Sequence, residues 1–298
     1  MSAANVATPV TANVAVLGYG CIYEGGYLFS VDDTMDDGHT GACTSAPCTG
    51  SIGGKVVSIT DQIAPSSGII WSSNGATGSS NFSYDIIPGI DETSTTGTGS
   101  PAYGGATGFT FSSMFAGGDN LTYSSPTSPP DLDFGPCAGA TDGQCNQDNI
   151  LLFYNAYTTG YTSTCNGAQN CSLTSASSPA TPLSYYAAGV CSQYEDSDGH
   201  INWYLPATCE LDSVNGGPCT STTPRPQSIA ENLTSLLIGV GSTPCSGASC
   251  LYGIYWSSTE RSSYPQYYAW YEIFSVGVSR PDYAFKNDLD GVRCVRAF

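Results

Sequence analysis

Thirteen cysteines, two histidines and 25 carboxylates are the reactive side chains of this 298-residue chain, against seven lysines and arginines. A nucleophile needs a base beside it, and neither a G-x-S-x-G elbow nor an H-E-x-x-H helix motif occurs, nor a phosphate-cradling glycine loop. With only His39 and His200, Ser-His or Cys-His chemistry has little material. Zinc is disfavoured as well, because there is no C-x-x-C pair and the histidines stand far from matching ligands. The run Glu195-Asp196-Ser197-Asp198-Gly199-His200 has the carboxylates and glycine of a calcium loop but not its closing Glu. Asp, Ser and Gly are ordinary turn residues, so this run reads as an exposed turn, as do Asp32, Asp33, Asp36 and Asp37. The expectation is no catalytic set, no metal site and no cofactor.

The cysteines carry a different chemistry. Cys43/Cys48, Cys137/Cys145, Cys165/Cys171 and Cys245/Cys250 each enclose a short stretch of turn-forming residues, and each is expected to close as a local disulfide. Cys21, Cys191, Cys209, Cys219 and Cys294 remain, and the odd total leaves at least one unpaired in a monomer. So many cysteines point to an oxidising, extracytoplasmic compartment.

A second chemistry-bearing stretch is YWSSTERSSYPQYYAWYEIF, Tyr255 to Phe274. Trp256, Trp270, Phe274 and Val292 are of the kind a core needs. The Tyr, Ser and Arg between and around them follow no helical or strand period. Tyr gives rigid amphipathic contact area and Ser adaptable hydrogen bonds at low entropic cost, the usual stock of a binding surface. The plain alternative is a strand pair with one wet face, where Tyr is common.

The elements that must position these groups are short. VAVLGYGCIYEGGYLFSVDD predicts a strand pair over about residues 14 to 31, and KVVSITDQ and GIIWSS two more strands. Helices are predicted at Asp148 to Tyr157, with Asp148 as cap or first-turn carboxylate, and at Leu183 to Tyr194, Pro206 to Asp212 and Gln227 to Leu237. In the last of these, Ile229, Leu233, Leu236 and Leu237 share a face. Residues 74 to 146 are rich in Gly, Ser, Thr and Pro but carry Phe82, Tyr84, Tyr103, Phe109, Phe111 and Phe115. Disordered segments are depleted in aromatics, so ordered irregular structure is expected there. Strands, loops, short helices and strands again give an α+β class.

Charge bounds the partners. The net charge is -18, and the segment from Tyr255 onward is formally neutral, so the deficit lies in residues 1 to 254. Such a body repels nucleic acid and anionic lipid. No apolar run reaches the length of a transmembrane helix, and MSAANVATPVTANVAV lacks the features of a secretory leader. A leader or lipid anchor outside this sequence, or another export route, is implied.

INWYLPATCEL (201 to 211), YWSSTE (255 to 260), AW (269 to 270) and GVRCVRAF (291 to 298) together resemble the bacterial family that includes the C-terminal domain of Legionella collagen-like protein. YYAAGVC at 185 to 191, with GGYLFSVDD, GGKVVSITDQ and GIIWSSNG, extends the match. The resemblance implies one C-type-lectin-like domain over residues 1 to 298, with a loop-rich insertion at about 74 to 146 and a variable region at about 255 to 298. Within it, W-S-S-T-E, an irregular run, A-W, a second run and V-R-C-V-R-A-F is similar to the variable region of diversity-generating retroelement target proteins. There, adenine mutagenesis of Asn codons reaches every residue except Lys, Glu, Gln, Met and Trp.

Under that rule the ligand-binding variable residues are Arg261, Ser262, Ser263, Tyr264, Tyr267, Tyr268, Tyr271, Ser275, Val278, Arg280, Asp282, Tyr283, Asn287, Asp288 and Asp290. Glu260, Gln266, Trp270, Glu272 and Lys286 are unreachable and belong to the scaffold or the template. The resemblance thus implies a receptor- or adhesin-type protein at the bacterial cell surface, binding a protein or glycan on another cell, phage or host. Formylglycine-generating oxidases share the broad fold and use a cysteine pair for copper, which makes Cys209 and Cys294 the residues to inspect for an enzyme. The E-P-N, Q-P-D and W-N-D motifs of calcium-dependent lectins are absent.

Overall fold

The computed structural model describes residues 18–32, 53–71, 86–95, 134–157, 183–221, 225–240, 243–276 and 278–298. Among them the strands are β1 (Ile22–Tyr23), β2 (Gly26–Asp32), β3 (Gly53–Ser58), β4 (Gly239–Val240), β5 (Thr243–Pro244), β6 (Gly253–Glu260), β7 (Tyr268–Ser275), β8 (Val278–Phe285) and β9 (Val295–Ala297). The α-helices are α1 (Gly143–Tyr157), α2 (Ala187–Ser192), α3 (Thr208–Leu211) and α4 (Ile229–Asn232). Every ladder between named strands is antiparallel, and short helices pack against the sheets, so the class is α+β.

One sheet runs β1-β2-β3-β9 and a second β6-β7-β8. β9 pairs with β3 through Lys55↔Ala297 and Val57↔Val295, which brings strands from both ends of the chain into one sheet. A parallel bridge at Tyr255↔Gly291 and antiparallel ones at Ile63↔Val292 and Tyr204↔Val295 tie the sheets together. β2 and β3 read as apolar runs rather than alternating ones because both their faces are covered. Leu28 and Val56 enter one core with Trp71, Trp203, Trp256 and the α1 residues Ile150, Phe153 and Tyr154. Phe29 and Val57 enter a second with Tyr255, Phe274, Leu211, Ile229 and Leu233.

Three expectations are corrected. Helix α1 starts before Asp148, and its cap is Asp142, whose carboxylate accepts from the Cys145 amide at 3.0 Å. The Gln227 to Leu237 stretch divides into α4 and a π-turn at Thr234–Ile238. Thr234 donates its hydroxyl to the Ala230 carbonyl, a local bond that competes with regular helix, and Leu236 turns outward, 41% exposed. Of the GIIWSS stretch, the described residues 68–71 form a single bridge, Ile69↔Asp290, because their groups are engaged elsewhere. The Ile69 carbonyl accepts from Trp256 Nε1 at 2.8 Å, and Trp71 Nε1 donates to the Ser257 carbonyl at 2.7 Å.

Of the 74 to 146 stretch, residues 86–95 and 134–146 are described. They are packed into the protein, with Ile86, Ile87, Ile90 and Cys137 fully buried. The aromatics at 82, 84, 103, 109, 111 and 115, and the pairs Cys43/Cys48 and Cys165/Cys171, lie outside the described residues.

Disulfides join Cys137 to Cys145 and Cys245 to Cys250, as their spacing predicts, and also Cys209 to Cys219 and Cys191 to Cys294. Cys21 is free and exposed. The Cys191–Cys294 bond spans 103 residues and locks α2 to the segment entering β9. Loop-closure entropy grows with span, so removing this bond by paired serine substitution is expected to cost up to about 4–5 kcal/mol. Removing Cys245–Cys250 should cost less than about 3 kcal/mol, and Cys21→Ser should be near neutral. Urea unfolding, with non-reducing peptide mapping of the four bonds, checks this order.

Candidate functional site

The motif Trp256-Ser257-Ser258-Thr259-Glu260 lies wholly buried at the end of β6, and its members bond outward to different segments. The β6–β7 register shifts between Trp256 and Glu260, which frees the intervening groups for those bonds. Ser257 Oγ donates to the Trp270 carbonyl at 2.8 Å. Ser258 Oγ accepts from Asn146 Nδ2 at 3.1 Å. Thr259 Oγ1 donates to the Gly139 carbonyl at 2.8 Å and accepts from the Thr208 amide at 3.1 Å.

Glu260 closes this set. Its carboxylate takes the Ile87 amide at 2.9 Å and the Lys286 ammonium at 2.5 Å, and both side chains are fully buried. The ammonium lies 4.4 Å from the centre of a Trp71 ring. Burial raises the Glu260 carboxyl to about 7, against the opposing pull of Lys286. The pair joins the last residue of β6 to the residue just after β8, clamping the base of the hairpin formed by β7 and β8.

On that base stands an aromatic surface. In the β7–β8 register Tyr268 opposes Phe285 and Trp270 opposes Tyr283, so the four rings share one face of the sheet. Tyr268 meets Tyr283 at 5.2 Å and Phe285 at 4.9 Å between ring centres, and Trp270 meets Tyr283 at 5.9 Å. The loop from Arg261 to Tyr267 folds back over them, with Tyr264 6.2 Å and Tyr267 5.9 Å from Tyr268. The Arg261 guanidinium lies 3.4 Å from the centre of the Tyr283 ring and 5.7 Å from those of Tyr264 and Tyr268. The loop is held from the side by Glu92, which accepts from the amide and hydroxyl of Ser262, both at 2.6 Å.

The structure thus gathers Arg261, Tyr264, Tyr267, Tyr268 and Tyr283 into one patch, with Ser262 and exposed Ser263 in the same loop. Tyr271, Arg280 and Asp282 fall on the opposite face of the hairpin, since Tyr271 pairs with Asp282 and alternates with Trp270. Tyr271 packs against Trp256 with ring centres 6.2 Å apart, and burial raises its phenol. Ser275 and exposed Val278 flank the far turn, and Asn287 and exposed Asp288 follow β8. Asp290 is a correction. It is 7% exposed, held by backbone bonds to Ile69, and burial and then Asp288 push its carboxyl up to about 7; its side chain is not displayed.

Trp270 corrects a second expectation, since it is partly exposed and belongs to the aromatic face instead of the core. Phe285 is a patch member missed in the sequence. The alternation Tyr283-Ala284-Phe285 was its signal, legible only once β8 is paired with β7. The Asp196, Asp198 and His200 run is the turn expected. Asp196 accepts from the amides of Asp198 and His200 and contacts His200 Nδ1 at 2.8 Å. Ligand-type atoms of the three lie within 4.8 Å of one another, but the carboxylate's bonds are internal to the turn.

On the same face of the hairpin as Trp270, nearer the β7–β8 turn, a second buried acid group stands out. Glu272 is fully buried and neither of its oxygens meets a hydrogen-bond donor among the described residues. Burial, and then the Asp212 carboxylate, push it up to about 10. Asp212 accepts from Ser279 Oγ at 2.7 Å and from Asn215 Nδ2 at 2.9 Å. Burial beside the Asp212 carboxylate thus favours the neutral acid form of Glu272 at pH 7.

Two outcomes follow. Lys286→Met strands a buried carboxylate and should cost about 3–5 kcal/mol, whereas Glu260→Gln with Lys286→Met should recover most of that loss; a double-mutant cycle by urea unfolding reads it. Glu272 binds a proton in the folded state that the unfolded chain releases above its ordinary value of 4.5. Its contribution is thus full below 4.5 and lost as pH rises towards 10, with a slope of up to about 1.4 kcal/mol per pH unit. Glu272→Gln should flatten that slope in unfolding curves taken at about pH 5, 7 and 9.

Against protein-family models, curated proteins and solved structures the chain finds no match, so the reading of this site rests on its own residues and geometry.

Proposed function

We propose that this protein is a ligand-binding, receptor- or adhesin-type protein with a C-type-lectin-like domain, whose C-terminal hairpin is a binding surface diversified by a retroelement. One observation carries the reading. Glu260, Glu272 and Lys286, which adenine mutagenesis of Asn codons cannot produce, are fully buried. Arg261, Ser263, Tyr264, Tyr268 and Tyr283, which it can produce, have exposed or partly exposed side chains on one edge of the molecule. Diversification of this kind favours such a partition, because buried positions tolerate change poorly; buried Asp290, and partly exposed Gln266 and Trp270, stand outside it.

The composition of the patch agrees, since Tyr, Trp and Arg dominate the energetics of protein recognition. Four disulfides and the lack, among the described residues, of a helix long and apolar enough to cross a membrane are compatible with an extracytoplasmic setting. The cell-surface location is part of the proposal. The oxidase alternative gains no support from Cys209 and Cys294, since each is bonded to a different cysteine.

The DNA beyond the 3′ coding end is the direct test. A near-copy of the segment for residues 255–298, differing at adenines and lying beside a reverse transcriptase gene, is expected. Invariant codons at 261, 264, 268 and 283 across related isolates would overturn the diversified reading. On the protein, Trp256→Ala should cost about 3–5 kcal/mol, while Tyr264→Ala and Tyr283→Ala should stay within about 0.5 kcal/mol of the parent. Equal costs in thermal or urea unfolding would place the tyrosines in the core and remove the surface.

A further inference from the structure

The geometry points to a carboxylate on a protein partner, an Asp or Glu side chain flanked by apolar groups, as what the patch receives at Arg261; this rests on the binding-surface reading above. The chain has 25 carboxylates and seven lysines and arginines, all seven of them described. Six form ion pairs with carboxylates of the chain. Arg261 is the one cation with no carboxylate partner among the described residues, and it sits in the centre of the aromatic patch.

Its posture sets the chemistry. A guanidinium 3.4 Å above the Tyr283 ring spends its flat face on the ring. Its N–H donors lie in the plane of the group and stay available at its edge. That fork matches a carboxylate with two parallel bonds. The surrounding rings supply amphipathic area, and the phenol groups of Tyr264 and Tyr268 bond to no protein group among the described residues.

The rest of the molecule narrows the occupant. A net charge of -18 repels a polyanion, so the site suits one carboxylate within an apolar contact instead of a run of them. Aromatic bulk around a single Arg is the make-up of a protein hot spot, where a saccharide would draw on several directional polar partners. An acidic sugar is the competing source of the same carboxylate.

Two tripeptide amides serve as probes, acetyl-Leu-Glu-Tyr-amide and its Glu-to-Gln counterpart, with glucuronate and glucose as the sugar pair. The readout is the Arg Nε–Hε and Tyr ring resonances of the folded, oxidised protein. The Glu peptide is expected to shift Arg261 and the Tyr264 and Tyr283 rings and to bind about tenfold tighter than the Gln peptide, the factor one charge-assisted hydrogen bond supplies. Arg261→Ala should erase the difference, Arg261→Lys, which keeps the charge without the fork, should retain only part of it, and the distant Arg225→Ala should leave it intact. If both peptides shift the rings equally, the carboxylate inference is overturned while the binding surface stands. If only glucuronate over glucose is selected through Arg261, the protein partner is overturned in favour of an acidic glycan. If no probe moves the patch, the inference falls, and the coding-end DNA still decides the diversified reading separately.

Discussion

The hairpin that carries the aromatic surface is anchored by a lysine and a glutamate buried out of reach of water. Desolvating two ions costs several kcal/mol each, and the cost is recovered only when geometry and hydrogen bonds are good. Here the Ile87 amide donates to Glu260 and the Trp71 ring faces Lys286, so the pair is partnered from two further segments at once. The residues before Glu260 fix the surrounding segments in turn. Trp71 is held by its indole bond to Ser257, the 134–146 stretch by Asn146 and Gly139 on Ser258 and Thr259, and α3 by the Thr208 amide on Thr259. Buried polar groups of this density specify one arrangement, because any slip leaves several of them unpaired.

A rigid base of this kind is what a changeable surface requires. The Arg261 to Tyr267 loop takes its ends from β6 and β7, whose positions are set below by Trp256, Glu260 and the two cores, and its flank from Glu92. Side chains above that frame keep part of their water contact, so each contributes less to stability than a fully buried ring. β8 is the edge of its sheet, and Pro281 and the Arg280–Asp282 pair interrupt its outward row of backbone groups, a common defence against strand addition. Contact with a partner is then left to side chains.

Glu272 and Asp212 lie nearer the far turn of the same hairpin. Neutralising Glu272 by burial relieves like-charge repulsion with the Asp212 carboxylate. Asp212 accepts from Ser279 of β8 and from Asn215. Three of the unreachable residues in this segment, Glu260, Lys286 and Glu272, thus do structural work that depends on their chemistry: a buried acid facing a base, the base itself, and a buried acid near an acid.

Several features were determined by the sequence alone. Apolar and β-branched runs at residues 26–31 and 55–58 make strands, the Cys137/Cys145 and Cys245/Cys250 loops close locally, and Trp256, Phe274 and Val292 are core by type. Local physics suffices there, since period, spacing and side-chain volume are properties of neighbouring residues. Tertiary structure decided what depends on partners far along the chain. Cys191 found Cys294 103 residues away, α1 took its cap from Asp142, and Trp270 left the core for the surface while Asp290 left the surface for the interior. The last two depend on what packs over each position: Trp270 shares its face of β7 with buried Glu272 and Phe274 yet lies beyond their cover, and the bridge to Ile69 draws Asp290 inward. For the same reason Arg261 could be listed among polar residues from sequence, but its lack of a carboxylate partner and its stacking on Tyr283 exist only once β6, β7 and β8 are laid side by side.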